Sequence, residues 1–377
     1  MGPYWLDDAP AVRPGPHHDG RVDVAIVGGG VTGCSCALAL ASAGLRVRVH
    51  DERGIAEGAS GRNGGFALRG GAARYDVARE SYGAAAAASL WRWTESCLDR
   101  MVELGDGTIR RTGSLRLAAD EDERGQILAE YEALREDDFE ADWRDDLPPQ
   151  LEAFHGAIFH PRDASIQPAR FVRRLASLAA EAGAELREGK RVESLEELDA
   201  EQVVIATDGY SRGLVPELEE AIWPARGQVV ATEPLPELLY DRPHYSRGGF
   251  DYWQQLPDRR LVLGGFRDFS IMSELTDEEV TTPVIQQALD AYLRELVGYD
   301  PPVSHRWAGI FGLTQDMLPL VGPIPGRDGA WVAAGYSGHG NVLGFGCGDL
   351  VAGAILGGTA PELELFDPAR LLGGHVH

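Results

Sequence analysis

The chain has 377 residues, of which 44% are hydrophobic, and a formal net charge of −24. That length allows about two or three domain-sized units with a sizeable core, and the apolar fraction excludes a disordered chain. So acidic a protein, without a Lys/Arg cluster, argues against nucleic acid or an anionic lipid surface as partner.

Residues 1–21 read as an irregular, Pro-rich arm. No basic segment there leads into an apolar core, so no signal peptide is expected. No stretch approaches the roughly 18 apolar residues of a membrane span. The four cysteines are Cys34, Cys36, Cys97 and Cys347. Cys34 and Cys36 lie two apart on a helical pattern and face different sides, which rules out a zinc knuckle or a redox pair. All four read as small buried thiols, suited to a reducing cytosol, and the expected location is cytoplasmic.

The organising stretch follows. DVAIVGGGVTG runs from Asp23 to Gly33 and continues into a small-residue helix ending near Gly44. An apolar strand meets the pattern G-x-G-x-x-G at Gly28, Gly30 and Gly33, with Val31 and Thr32 opening the helix. Gly28 allows the tight turn, Gly30 lets the backbone approach a pyrophosphate, and Gly33 lets helix and strand pack closely. A second strand, LRVRVHDE, ends in Asp51 and Glu52. Asp51 stands 23 residues after Gly28, close to the spacing of a ribose-binding acid. The ordered set predicts a dinucleotide site; without a ligand it would be only a tight strand–helix turn.

Next comes a loop with glycines from Gly58 to Gly71 and, among them, Ser60, Arg62, Asn63, Gly64, Gly65 and Arg69. Placed directly after the ribose acid, it is expected to lie against the same ligand, with its arginines pairing anions. Residues 75–104 have a helical pattern, with Trp91 and Trp93 read as core. IRRTGSLRLAA reads as a strand pair turning at Gly113, and residues 120–147 as a charged, solvated helix. Ile158–His160 reads as a strand, followed by a helix from Pro168. KRVESLEEL reads as a further strand, and EQVVIATDGY as a buried strand ending at Thr207-Asp208-Gly209.

From about residue 223 to 302 the pattern alternates, which predicts an antiparallel sheet closed by a helix. AWVAAGY then forms a strand that runs through SGHG into a second small-residue helix. The predicted fold is α/β: a Rossmann-like dinucleotide-binding domain with a mainly antiparallel-sheet, α+β second domain. The expected ranges are 1–74, 152–215 and 305–377 for the first, and 75–151 and 216–304 for the second.

These motifs carry a resemblance. The chain resembles the FAD-dependent D-amino-acid-oxidase superfamily, on the branch of glycine oxidase, sarcosine oxidase and γ-glutamylputrescine oxidase. YWLD at 4–7 resembles the arm of the last group, and GASGRNGGF at 58–66 its flavin loop. ATDGY at 206–210 resembles the family's ATNGY, with Asp208 replacing Asn. GYSGHGNVLG at 335–344 resembles the motif at the flavin's pyrimidine edge.

The resemblance implies that Gly28, Gly30, Val31, Thr32 and Gly33 hold the pyrophosphate and Asp51 and Glu52 the ribose. It implies that Ser60, Arg62, Asn63, Gly64 and Gly65 line flavin and phosphates, and that the Val192 backbone meets adenine. Thr207, Asp208 and Gly209 would contact the dinucleotide, and Gly338, His339 and Gly340 would approach the isoalloxazine carbonyl. It implies oxidation of the C–N bond of a small-molecule amine or amino acid, by hydride transfer to flavin N5 and hydrolysis of the imine. Electrons then pass to oxygen or another acceptor.

The monomeric sarcosine oxidases tether FAD through a cysteine in the segment that here reads RWAGIFGLTQD; it has none, so FAD is expected to be non-covalent. Val262 stands where those enzymes carry a lysine linked to oxygen activation. Asn341 and Val342 stand where a family lysine binds substrate carboxylate. Candidates for the substrate pocket are Tyr252, Trp253, Arg69 and His339, with no metal. His339 is either a general base or a conformational part of its glycine turn. A flavin-binding dehydrogenase subunit and an NAD-linked dehydrogenase are the alternatives. The latter leaves GASGRNGG and GYSGHG unexplained.

Overall fold

The computed structural model describes residues 2–372; Met1 and 373–377, the ends of two expected ranges, lie outside the described residues. Two large sheets form the scaffold. The first has six strands, in the order Leu320–Pro323, Ala330–Ala334, Ala200–Ile205, Val22–Val27, Val47–His50, Glu185–Arg187. All neighbours are parallel except the first pair. Val22–Val27 lies near the centre and, Asp23 apart, is buried, as its apolar residues require of a parallel strand covered on both faces.

Two helices cover this sheet, Val31–Ser42 and Gly340–Ile355, and their small residues let them touch. A Cβ at Gly344 would come within 2.9 Å of Val31 and Thr32 side chains. Ser35 donates to the Phe345 carbonyl at 2.8 Å, and the Thr32 and Tyr336 hydroxyls meet at 2.8 Å. Both helices therefore begin side by side at the C-terminal end of the sheet.

The second sheet has eight strands, in the order Val303–Leu313, Trp223–Thr232, Leu261–Gly265, Asp251–Gln255, His244–Ser246, Ser114–Leu117, Ala157–His160, Asp142–Arg144. All its pairs are antiparallel except His244–Ser246 with Ser114–Leu117. Side chains alternate between its faces. Leu115, Trp253 and Leu263 face the helix Pro283–Val297 in a separate core. Arg116, Tyr245 and Tyr252 face the first sheet.

Several local expectations change. Ala157–His160 and Val303–Leu313, expected with the dinucleotide unit, are strands of the eight-stranded sheet. Gly83, in a left-handed conformation at φ 90°, divides the 75–104 helix into Tyr75–Tyr82 and Ala84–Leu104. The segment around Gly113 is not a hairpin. Ile109–Arg110 pairs with Ala164–Ile166, whereas Ser114–Leu117 pairs with Ala157–His160. The edge strand is Glu185–Arg187 rather than KRVESLEEL, because its Glu185 is held by Arg48 at 2.7 Å and its backbone pairs with His50. The arm is not loose: Trp5 is fully buried and its indole donates to the Asn63 carbonyl at 2.7 Å.

All four cysteines are free and buried, and burial raises every thiol pKa, that of Cys97 to about 12. The native protein is expected to show no reaction with a thiol reagent at pH 8, and four reactive thiols once unfolded in denaturant. Fast labelling of even one thiol in the folded protein would contradict this packing.

Candidate active site

An elongated cavity of about 750 Å³ runs between the two sheets, from Asp51 and Val192 to Tyr252 and His339. Its floor is built from strand ends and helix starts. Gly28 turns with φ 110°, and Gly30, the N-cap of Val31–Ser42, has no side chain to close the first turn. Ser60 takes the Val31 N–H at 2.9 Å, and a Cβ at Gly30 would stand 2.9 Å from the Ser60 hydroxyl. Gly33 does not line the cavity; a Cβ there would collide with the Gly28 carbonyl, so its role is helix–strand packing.

Asp51 and Glu52 face one end of the cavity with Val192. The Asp51 carboxylate accepts from the Gly29 N–H at 2.8 Å and the Arg53 N–H at 2.9 Å, which fixes the turn and leaves lone pairs for a hydroxyl. Burial raises its pKa, and those two N–H groups pull it back. Glu52 pairs with Arg191 at 3.1 Å.

The glycine loop is gripped from four sides. Gln254 donates to the Gly64 and Gly65 carbonyls at 2.6 and 2.7 Å, and Trp307 to the Arg62 carbonyl at 2.8 Å. Trp5 holds Asn63 from below. Asn63 and Asn341 exchange amide hydrogen bonds at 3.2 and 3.1 Å, and Asn341 also donates to the Phe66 carbonyl at 2.7 Å. Asn341 therefore clamps the loop to the start of the second helix. Ser60, Arg62, Asn63 and Gly64 line the cavity, whereas Gly65 is packed against Gln254, Ile166 and Trp5. The Arg62 guanidinium pairs with Glu279 at 2.9 Å, as does that of Arg53 at 3.0 Å.

Thr207, Asp208 and Gly209 line the floor, but the Asp208 carboxylate is turned to protein. It accepts from Gly335 N–H at 2.8 Å and Gly312 N–H at 3.0 Å. Gly338, His339 and Gly340 line the other end. His339 caps Gly340–Ile355, and burial, with Arg116 nearby, lowers its pKa to about 4. It is a neutral imidazole at physiological pH, and its Nδ1 has no partner among the described residues.

The four substrate-pocket candidates separate. Tyr252 lines the cavity, its ring laid across Gly264 and within 2.7 Å of where a Gly64 Cβ would stand. Trp253 does not. As the next residue on the strand it points to the opposite face, fully buried and stacked on His244 at 5.3 Å. Arg69 reaches the cavity wall, but its guanidinium is committed to Glu95 at 2.6 Å and the Glu140 carbonyl at 2.6 Å, which leaves it no fork for a substrate carboxylate.

Arg116, Glu130, Tyr245, Arg267 and Glu279 also face the cavity and were not anticipated. Arg116 pairs with Glu130 at 2.7 Å and stands opposite Tyr245, itself opposite Tyr252, on neighbouring strands. A lone arginine between Leu115 and Leu117 was a readable signal for a polar face.

Residues 23–354 match the model of the FAD dependent oxidoreductase family. The chain belongs to this family. FAD is therefore the oxidoreductase's cofactor, and the residues fit it: a glycine-cleared turn, two helix N-termini at one cavity, and a neutral His339 with an unpartnered nitrogen. The oxidoreductase is 28% identical to γ-glutamylputrescine oxidoreductase of Escherichia coli strain K12, over 91% of this chain and 85% of that one. It is 28% identical to glycine oxidase of Geobacillus kaustophilus strain HTA426, over 94% and 98%. The crystal structure of glycine oxidase from Geobacillus kaustophilus superposes with a TM-score of 0.77 at 23% identity, covering 95% of this chain and all of that one, and shows the same fold. Among the described residues no helix is long and apolar enough to cross a membrane.

Proposed function

We propose that this protein oxidises the C–N bond of a small amine or amino acid in the cytoplasm, with FAD held non-covalently. The observation that carries the reading is one cavity in which two helix N-termini meet a tyrosine-faced sheet, in a chain 28% identical to both a γ-glutamylputrescine oxidoreductase and a glycine oxidase. FAD, when bound, supplies a two-electron acceptor that takes a hydride equivalent at N5 from the carbon bearing the neutral amine.

The protein's part is binding, orientation and charge. Gly28, Gly30, Val31 and Thr32 receive the pyrophosphate and Asp51 and Glu52 the ribose, with the Val192 backbone at the adenine. The N-terminus of Gly340–Ile355 directs its partial positive charge at the reactive end and favours negative charge developing there. The substrate reacts as the free amine; His339, held neutral with its pKa lowered to about 4, shapes the glycine turn ahead of Gly340–Ile355 and adds no positive charge to the pocket. Tyr252 closes the pocket from above and limits water. After oxidation, water adds to the imine carbon and ammonia or a smaller amine departs. The six-stranded unit holds the cofactor, and the eight-stranded sheet holds the substrate.

A second reading concerns only the acceptor. Val262, matched by resemblance to an oxygen-linked lysine, is buried and apolar, which favours electron transfer to an acceptor other than oxygen.

The purified protein is expected to be yellow and to release all its flavin on acid precipitation. Amines and amino acids are then screened anaerobically for bleaching of the flavin band, and air is admitted. Flavin that stays with the pellet sinks the non-covalent assignment, and a colourless, NAD-binding protein sinks the whole reading. Bleaching followed by slow reoxidation in air identifies a dehydrogenase.

A further inference from the structure

The cavity continues past the tyrosine roof into a side lobe under the far strands of the eight-stranded sheet. Tyr252, Tyr245 and Arg116 stand opposite one another on successive strands, and Ile158 faces Arg116 on the next. His160, two residues on from Ile158, shares their face and lines the cavity. Neighbouring strands lie about 4.8 Å apart, so the strand of His160 is roughly 14 Å from that of Tyr252. Beside Arg69, the small residues Gly71, Ala72 and Ala73 also line the cavity and leave it open.

His160 is only 5% exposed, and its protonation is fixed. A guanidinium can only donate, so Arg69, 3.3 Å from Nδ1, makes that nitrogen the acceptor and leaves the proton on Nε2. Burial and the charges of Arg69 and Arg116 hold the ring's pKa well below the usual histidine range, so the imidazole is neutral. Its Nε2–H has no acceptor among the described residues, and neither has Nε of Arg69 or of Arg116. Leaving buried N–H groups unpaired is costly, so the lobe calls for an acceptor from outside the protein.

The lobe is short of acceptors but not of negative charge. Its two guanidinium groups are matched by Glu95 at 2.6 Å and Glu130 at 2.7 Å. A third carboxylate, Asp163, takes the Arg69 backbone N–H at 3.0 Å and the Ser114 hydroxyl at 2.6 Å. An anion entering here meets three acids, whereas an uncharged oxygen meets the free N–H without that repulsion. We infer that His160 is a specificity-determining residue that donates from Nε2 to an uncharged oxygen, such as an amide carbonyl, remote from the reacting amine of the substrate. The preferred substrate is then an extended amine rather than a short amino acid. This rests on the amine-oxidation reading for the reaction but not for the binding.

The test uses the FAD-loaded protein, kept anaerobic, and two pairs of isosteric probes. N-acetyl-1,3-diaminopropane is set against hexylamine, and N-acetyl-1,5-diaminopentane against octylamine. Band shifts of the visible flavin spectrum on rapid mixing read binding, and bleaching reads reaction. The acetylated member of at least one pair is expected to bind about tenfold more tightly than its alkyl partner. His160→Phe is expected to weaken that probe about tenfold and leave the alkylamine unchanged, with His160→Gln, which keeps an N–H, in between. 6-Aminohexanoate, which carries a carboxylate at similar reach, is expected to bind more weakly than the acetylated probes.

No preference within either pair overturns the inference, and so does a preference that His160→Phe retains. Equal weakening of both members by His160→Phe overturns it too, by assigning the ring to packing. Tighter binding of 6-aminohexanoate overturns the choice of an uncharged oxygen. Should His160→Phe fail to fold, the preference in the natural protein and its partial loss in His160→Gln carry the decision. If amines bleach the flavin with no preference within the pairs, only the role of His160 fails. If band shifts show the preference but no amine bleaches the flavin, only the amine-oxidation reading fails.

Discussion

Replacing Arg226 with methionine is expected to lower stability by about 3–5 kcal/mol. Arg226 and Glu274 form a buried bidentate pair, with side-chain exposures of 4% and 1%. Nε and Nη2 donate to the two carboxylate oxygens at 2.8 and 3.0 Å. The same guanidinium donates to the Ser273 and Glu278 carbonyls at 3.0 and 3.1 Å. Methionine fills the space of the stem but leaves a buried carboxylate facing only the Gln228 amide at 3.0 Å and the Thr282 hydroxyl at 3.3 Å. The segment between Gly265 and Thr282 is tied down here, and it carries Arg267 and Glu279 into the cavity. FAD affinity is therefore expected to fall together with the denaturation midpoint. Adding Glu274→Met should recover most of the lost stability, because the double variant buries no charge. Urea denaturation of the single and double variants beside the natural protein decides this. A single variant within about 1 kcal/mol of the natural protein would show that the segment is anchored elsewhere.

The dinucleotide half of the molecule was legible because its signals are short-range. Glycine spacing, one apolar run and the acid that ends the next strand all lie between Asp23 and Glu52, and the structure brings them to one cavity. The roof was less legible, since it depends on which face of a strand meets which partner. Alternation alone states that Tyr252 and Trp253 cannot share a face, a constraint strong enough to exclude one of them. Which one depends on His244, Tyr240 and Phe154, whose rings surround Trp253 at 5.3–6.0 Å from other parts of the chain.

Arg69 was misread for the same reason. A glycine loop with an arginine resembles an anion site until Glu95, on the helix Ala84–Leu104, is brought against it. Arg267 is the converse. Its sequence neighbour Asp268 suggests a local pair, and only the fold sends that acid to Arg247. Long-range pairing of charges, rather than the motifs, decides which arginines are committed to the protein.

Replacing Asp208 with alanine is expected to cost about 3 kcal/mol or more and to strip the protein of FAD. Asp208 stands just after Ala200–Ile205 at φ 48°, a left-handed conformation that Asp tolerates better than Ala. Its oxygens take the Gly312 and Gly335 N–H groups, so one side chain ties together the ends of three strands. Alanine leaves both N–H groups buried without an acceptor, each at about 1–3 kcal/mol, and adds the backbone strain. Two controls divide the effect. Asp208→Gly relieves the strain but not the lost acceptors. Asp208→Asn keeps the left-handed preference and one acceptor, while its NH2 faces the second N–H, so it should fall between Asp and Ala. One of the strands it joins, Ala330–Ala334, leads directly into Ser337–Gly340, so loosening its end displaces the helix N-terminus from the reactive end. Thermal unfolding with and without added FAD separates the two consequences. If Asp208→Ala melts lower but regains the natural flavin content and melting point at saturating FAD, the clamp serves folding alone. If flavin stays substoichiometric while the remaining fold is intact, the clamp is what holds the second glycine turn in place for the cofactor.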